Sequence, residues 1–312
     1  MTAQPNPRPL FSGNAGANGL GYYGTPTRPL YWSIWRELWE NRSIYIAPLI
    51  VAVVVLFGFL VSMIHFPERR RAALLLDEAH RRAAIHLPYS VAATMIMMTG
   101  IIVGMFYCLD ALYGERRDRS ILFWKSLPVS DLTTVLSKAS IPLLVLPLLS
   151  FAITVPVQLI MLLISSAVLS MNGLSPAMTW TYFPFFQQSL ILLYGLIAVT
   201  LWHAPIYGWL LLVSGWVRRA TFLWAVLPLL AIGIFERITF GTSYVGLFVR
   251  HRLMGFGPEA FDFRGQSMPC VNSLTQLTPG RYLSTVGLWV GLVFATACLV
   301  AAVRLRRYRG PL

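Results

Sequence analysis

The sequence is poor in charge. Only 12% of its 312 residues are Asp, Glu, Lys or Arg, and 12 acidic side chains face 25 basic ones. A chain that is 56% hydrophobic, with a mean hydropathy of +0.64, carries more apolar surface than a soluble domain buries, so lipid must be its solvent. Cysteine is scarce as well. Cys108 and Cys298 sit inside apolar runs and Cys270 stands alone in a polar stretch, which gives neither a disulfide framework nor paired metal ligands. No GxxxxGK[ST] phosphate loop, HExxH helix or GxSxG elbow occurs, so the common means of gripping ATP, holding zinc or activating a serine are missing. No catalytic residue and no metal ligand is therefore assigned. The net charge of +13 does not point to nucleic acid, because the cations fall in short clusters between apolar runs, the pattern of side chains at lipid headgroups.

What the chain does have is long apolar runs. About 20 such residues cross the roughly 30 Å of hydrocarbon in a bilayer. Six segments meet or approach that length: Ile44 to His65, Ala92 to Tyr113, Ala139 to Met171, Ser189 to Val217, a fifth from about Ala220 to Glu236 and Arg237, and Tyr282 to Val303. The third contains Pro142, Pro147 and Pro156 but no charge, and it is too short for two crossings and a turn, so it reads as one long kinked span. Thr278-Pro279 suits the start of the sixth. The expected fold is an all-α polytopic membrane protein with six transmembrane helices. Residues 1–29, rich in Pro, Gly and Asn, read as a flexible cytoplasmic tail before a six-span membrane domain, 30–312. With both termini cytoplasmic, 15 Lys and Arg lie inside and 10 outside, although Arg69, Arg70, Arg71, Arg81 and Arg82 in the first external loop (67–90) oppose the trend.

Ahead of the first span, LYWSIWRELWENR places Trp32, Trp35 and Trp39 on one helical face. Indole favours the membrane boundary, so this segment is expected to be an amphipathic interfacial helix, with Arg36, Glu37 and Glu40 off that face.

The connection between the second and third spans is the most informative stretch. Its acids Glu115 and Asp118 suit a first helical turn, Arg116 and Arg119 accompany them, and Ile121, Leu122, Trp124 and Lys125 follow before Pro128 stops the helix and Ser130 caps the next. An amphipathic helix from Glu115 to Leu127, lying across the membrane face, is expected.

The pattern ER-x(3)-SI-x(2)-W-x-SLPVS-x(7)-K in this stretch resembles the loop after the second span of type-2 ABC transporter permeases. Glu115, Arg116, Pro128, Ser130 and Lys138 match by type, and the plan of spans extends the likeness from Leu30 onward. The resemblance implies a cytoplasmic coupling helix, carried by Glu115, Arg116, Asp118, Arg119, Ile121, Leu122, Trp124 and Lys125, that docks on a separate ABC ATP-binding subunit. It also implies that ATP and Mg bind that partner, with no cofactor in this chain, and that the permease pairs with a second copy or a homologous permease. Membrane lipids are the remaining partner and the bacterial cytoplasmic membrane the expected location. The basic first external loop and the lack of a fused ATPase depart from the simplest family pattern. The rival readings are an ion-gradient-driven secondary transporter, which needs a charged or broken mid-membrane site, and a membrane-embedded enzyme or scaffold, which needs convergent acids, His or Cys.

Smaller signals concern packing or a transport path. Asp110 lies one turn from the end of the second span. Gly100-x(3)-Gly104 and Gly287-x(3)-Gly291-x(3)-Ala295 allow close helix approach within the chain or at a dimer seam. His203 is expected to satisfy the carbonyl that Pro205 frees rather than to relay protons. Glu236 and Arg237, about 100° apart on a helix, mark either an ordinary membrane boundary or a functional site.

Overall fold

The computed structural model describes residues 29–122, 129–263, 271 and 273–308. Among these the chain is helical throughout, with one isolated antiparallel bridge between Phe261 and Leu277 and no strand. Six helices are long and apolar enough to cross a membrane: Ser43–Ala73, His80–Arg117, Asp131–Met171, Ala177–Trp216, Thr221–Phe240 and Val286–Tyr308. The protein is an integral membrane protein.

Helix α1 (Pro29–Glu40) ends at Asn41, and α2 (Ser43–Ser62) begins the first span with Pro48 inside its second turn. A short 3-10 turn leads into α3 (Phe66–Leu74), and α4 (Glu78–Ala111) then forms the second span. The structure corrects the sequence reading here. Most of the expected external loop 67–90 is helical, because Glu78 pairs with Arg82 one turn on and Pro88 is absorbed within the helix. At about 1.5 Å per residue the 34 residues of α4 span some 50 Å, so its charged start projects beyond the hydrocarbon instead of being buried in it.

Helix α5 (Tyr113–Arg117) turns at the end of the second span. The third span is one continuous rod: α6 (Asp131–Ser140), a π-helical turn (Ile141–Val145) holding Pro142, and α7 (Leu146–Met171). Ser130 caps it as expected, accepting from the Thr133 amide at 3.1 Å. A wider π turn accommodates a proline that lacks an N–H, so Pro142 sits in the span without ending it.

Helix α8 (Ala177–Tyr182) and the fourth span, α9 (Phe185–Trp216), follow. The fifth span, α10 (Thr221–Phe240), ends at Gly241, whose φ of +68° sends the chain back into α11 (Tyr244–Met254). Helix α12 (Phe256–Ala260) and α13 (Pro279–Ser284) precede α14 (Val286–Tyr308), the sixth span. Thr278-Pro279 opens α13 rather than the span. Thr285, at ψ 115°, breaks the two apart, so the crossing starts at Val286 and not at Tyr282.

The most extensive helix pairing joins α9 to α14. It is close because Gly208 faces the backbone of Ala295: a Cβ there would lie 3.1 Å from the Ala295 Cα and carbonyl oxygen. Gly291 likewise leaves room for Pro205 and the Arg252 guanidinium. Gly100 packs on Ser150, and Gly104 on Leu146, Pro142 and Tyr207, so all these small residues serve contacts within the chain.

Candidate functional site: a buried ionic junction at one end of the bundle

Alternation of the spans brings α1, the end of α4, the start of α6, the end of α9 and the end of α14 to the same end of the bundle. Charge concentrates there. Lys138, on α6 and almost wholly buried, sits between two carboxylates, 2.8 Å from Glu37 Oε1 and 3.1 Å from Glu115 Oε1. Arg306, from the last turns of α14, bonds Glu115 Oε2 through Nη1 and places Nε 3.1 Å from Asp131. Arg36 contributes Nη2 at 2.7 Å to Glu37 and 3.5 Å to Glu115. The Tyr107 hydroxyl donates to Glu37 Oε2 at 2.7 Å.

Glu37, Glu115 and Asp131 thus meet Lys138, Arg306 and Arg36, with Glu40 3.7 Å from Arg36 at the exposed rim, and the innermost four, Glu37, Glu115, Lys138 and Arg306, are buried from water. Glu37 has no exposed surface. Burial opposes its ionisation, but Lys138, Arg36 and Tyr107 together outweigh that penalty and hold its carboxyl below the ordinary carboxylate range. Burial likewise works against the Arg36 charge and is overcome by Glu37, Glu40 and Glu115, leaving the guanidinium more firmly protonated than usual.

A second clasp adjoins the first. Arg116 donates through Nη1 to the carbonyls of Gly215 at 2.8 Å and Val217 at 3.1 Å, covering the negative end of α9. In return the Ser214 hydroxyl accepts from the amides of Leu112 and Tyr113, which would otherwise be open donors at the start of α5. The first turn of the connector is therefore tied to α1, α6, α9 and α14 together.

These contacts change the reading of the connector. Glu115 and Arg116 are buried and face the bundle instead of outward. The expected single helix from Glu115 breaks at Asp118 and Arg119, and Arg119 takes a left-handed φ of 57°. With its acids and bases engaged by the bundle, the chain has to turn before it continues. Asp118 and Arg119 lie exposed beyond that turn, Asp118 bonding Arg117. Ile121 is buried and Leu122 is exposed. Trp124 and Lys125, with Pro128, lie outside the described residues.

In α1 one of the two acids, Glu37, is buried against expectation, while Glu40 stays exposed. Trp32, Trp35 and Trp39 are exposed on one side, while Ile34 and Leu38 pack on the core and Glu37 is the most deeply buried residue of the helix. The sequence showed the indole face but not that a lysine 101 residues away would make burial of Glu37 favourable.

The other candidates lie apart from this junction. Asp110 is exposed, 3.8 Å from Arg117. His203 is buried, but its Nδ1 bonds the Val199 carbonyl at 2.8 Å, four residues back, rather than the Leu201 carbonyl that Pro205 frees. The ring reaches one turn toward the helix start, past the position the proline affects. Glu236 caps the next helix: it accepts from the Thr242 hydroxyl and from the amides of Tyr244 and Val245 at 2.6 to 2.8 Å, fixing the reversal between α10 and α11. Mid-bundle, a small apolar crevice of about 20 Å³ is lined by Gly100, Pro142, Ser150, Thr200 and Tyr207. No group of three metal-ligating side chains occurs among the described residues.

No protein-family model matches the chain, and no curated protein or solved structure is significantly similar to it.

Proposed function

We propose that the chain is the membrane-spanning permease subunit of an ATP-driven, ABC-type transporter acting as an exporter, with ATP and Mg held by a separate subunit and two permeases per complex. The observation that carries this reading is the tethering of Glu115 and Arg116 at the start of the connector. A push that reaches Glu115 and Arg116 is carried into the bundle: Glu115 passes it to α6 through Lys138 and to α14 through Arg306, and Arg116 passes it to α9. Buried ion pairs of this kind are short and directional, and they move as a unit or break. Such a junction suits an element that switches helix packing in response to a partner's closure. The sequence likeness of the connector to type-2 ABC permeases supports the same reading.

In this arrangement the junction end is cytoplasmic, as are both termini, in a bacterial cytoplasmic membrane. The exposed indoles of α1 lie in the headgroup layer, where their amphipathic rings are favoured. A reporter fused at Ser175, between the third and fourth spans, is expected to read the external side. A cytoplasmic signal there would invert the arrangement and remove the junction from reach of an ATPase.

The docking surface is the connector beyond Asp118, where Leu122 is exposed and Trp124 follows. An aromatic anchor at an interface contributes on the order of 2 kcal/mol or more, roughly a thirtyfold change in affinity. Trp124→Ala and Leu122→Ala are expected to reduce recovery of the ATPase subunit that co-purifies with the wild-type chain, without changing the melting temperature of the permease alone. Wild-type recovery with both variants would remove the connector from the coupling path, and an isolated chain that binds ATP stoichiometrically would overturn the subunit reading.

A further inference from the structure

The five arginines that oppose the charge bias stand at the end of the bundle remote from the ionic junction. Helix α2 has 20 residues, which cover about 30 Å, so α3 begins where the hydrocarbon ends and lies at headgroup depth. Arg69, Arg70 and Arg71 follow one another on α3, and Arg81 and Arg82 stand on the first turns of α4 across a short turn.

Two of the nearby acids are engaged elsewhere, and the third, Glu68, is exposed and pairs with none of these arginines. Glu78 pairs with Arg82 at 2.9 Å, Asp77 bonds His80, and Glu68 lies 3.7 Å from His65. Among the described residues no carboxylate pairs with Arg69, Arg70 or Arg71. Arg70 is the most inward of the three: its guanidinium lies 4.9 Å over the Phe66 ring, and its Nε is buried without an acceptor. Exposed apolar side chains flank the arginines in the chain on either side, Ile64 before them at 72% exposure and Leu75 and Leu76 after them, Leu75 at 89%.

Unpaired guanidinium groups call for an anion with several oxygens, and a phosphodiester presents them in the right geometry. A soluble anion would leave Ile64, Leu75 and Leu76 in water, whereas a lipid satisfies the cations and covers the apolar side chains at once. We propose that the hairpin of α3 and the start of α4 is a binding site for anionic phospholipid, with Arg69, Arg70 and Arg71 on headgroup phosphates and Ile64, Leu75 and Leu76 against acyl chains. The inference depends on the membrane-spanning architecture and not on the transporter reading. It also accounts for arginines on the side where the charge bias disfavours them, since here they bind lipid instead of orienting a loop.

The test uses the full chain in neutral detergent, titrated with phosphatidylglycerol, with phosphatidylcholine and with inorganic phosphate, reading the rise in melting temperature. Phosphatidylglycerol is expected to stabilise the wild type, while phosphatidylcholine and phosphate at equal concentration do little. Arg69→Gln/Arg71→Gln alters two exposed side chains and should not impair folding. It is expected to weaken the apparent affinity for phosphatidylglycerol by between about fivefold and thirtyfold, since each arginine near an anionic surface is worth roughly a factor of five. The exposed pair at the opposite end, Arg218→Gln/Arg219→Gln, should titrate like the wild type. Unchanged affinity in the hairpin variant, an equal loss in the control pair, or equal stabilisation by free phosphate would each overturn the proposal.

Discussion

Lys138→Met is expected to cost about 3–5 kcal/mol of stability, because it removes the cation between Glu37 and Glu115 and leaves two buried carboxylates facing each other. The side chains are similar in length, so the loss reports charge more than volume. Glu37 keeps Arg36 and Tyr107, and Glu115 keeps Arg306, which places the effect within that range rather than beyond it. Thermal melts in one detergent measure it. A second substitution makes the result specific: Glu37→Gln added to Lys138→Met restores the balance of the junction and should recover part of the loss, whereas Glu37→Gln alone should destabilise. Additive losses in the double variant, or a single variant that melts like the wild type, would show that the junction is not a desolvated ionic unit.

Gly208→Leu is expected to destabilise by at least about 1–3 kcal/mol and to loosen the pairing of the fourth and sixth spans. Its Cβ would lie 3.1 Å from main-chain atoms of Ala295, and a backbone cannot rotate away as a side-chain tip can. No substitution at position 295 relieves that contact. Gly58→Leu, on α2 where an added Cβ meets nothing within 4 Å, is the matched control and should leave the melt unchanged. Equal melts for the two variants would mean that the two spans do not pack at this point.

The structure also changes what a substitution at Glu115 reports. On a docking surface Glu115→Ala would alter coupling alone. Buried against Lys138 and Arg306 and within reach of Arg36, it would also strip three cations of a partner, so the variant would report on folding as well as on transport. Leu122 and Trp124, beyond the turn at Arg119, are the cleaner probes of docking.

The sequence by itself determined the helical class and the six helices long and apolar enough to cross a membrane, because these depend on composition and on runs of side chains that are contiguous in the chain. The single third span followed from its length and its lack of charge, and the Ser130 cap from one residue and its neighbours. Boundaries that depend on what lies beyond the apolar run were harder to read. The charged start of α4 and the break at Thr285 both fall where a helix leaves the hydrocarbon, and there hydropathy no longer distinguishes helix from loop. The junction was beyond sequence reasoning for a different reason. Its members were visible as separate charges, but Glu37 meets Lys138 across 101 positions and Glu115 meets Arg306 across 191, and no periodicity links such distances. Whether Glu37 would face water or the core was decided by the arrival of Lys138, Arg36 and Tyr107 around it. Burying a carboxylate is unfavourable until its partners are in place, and only the packing of the helices brings them there.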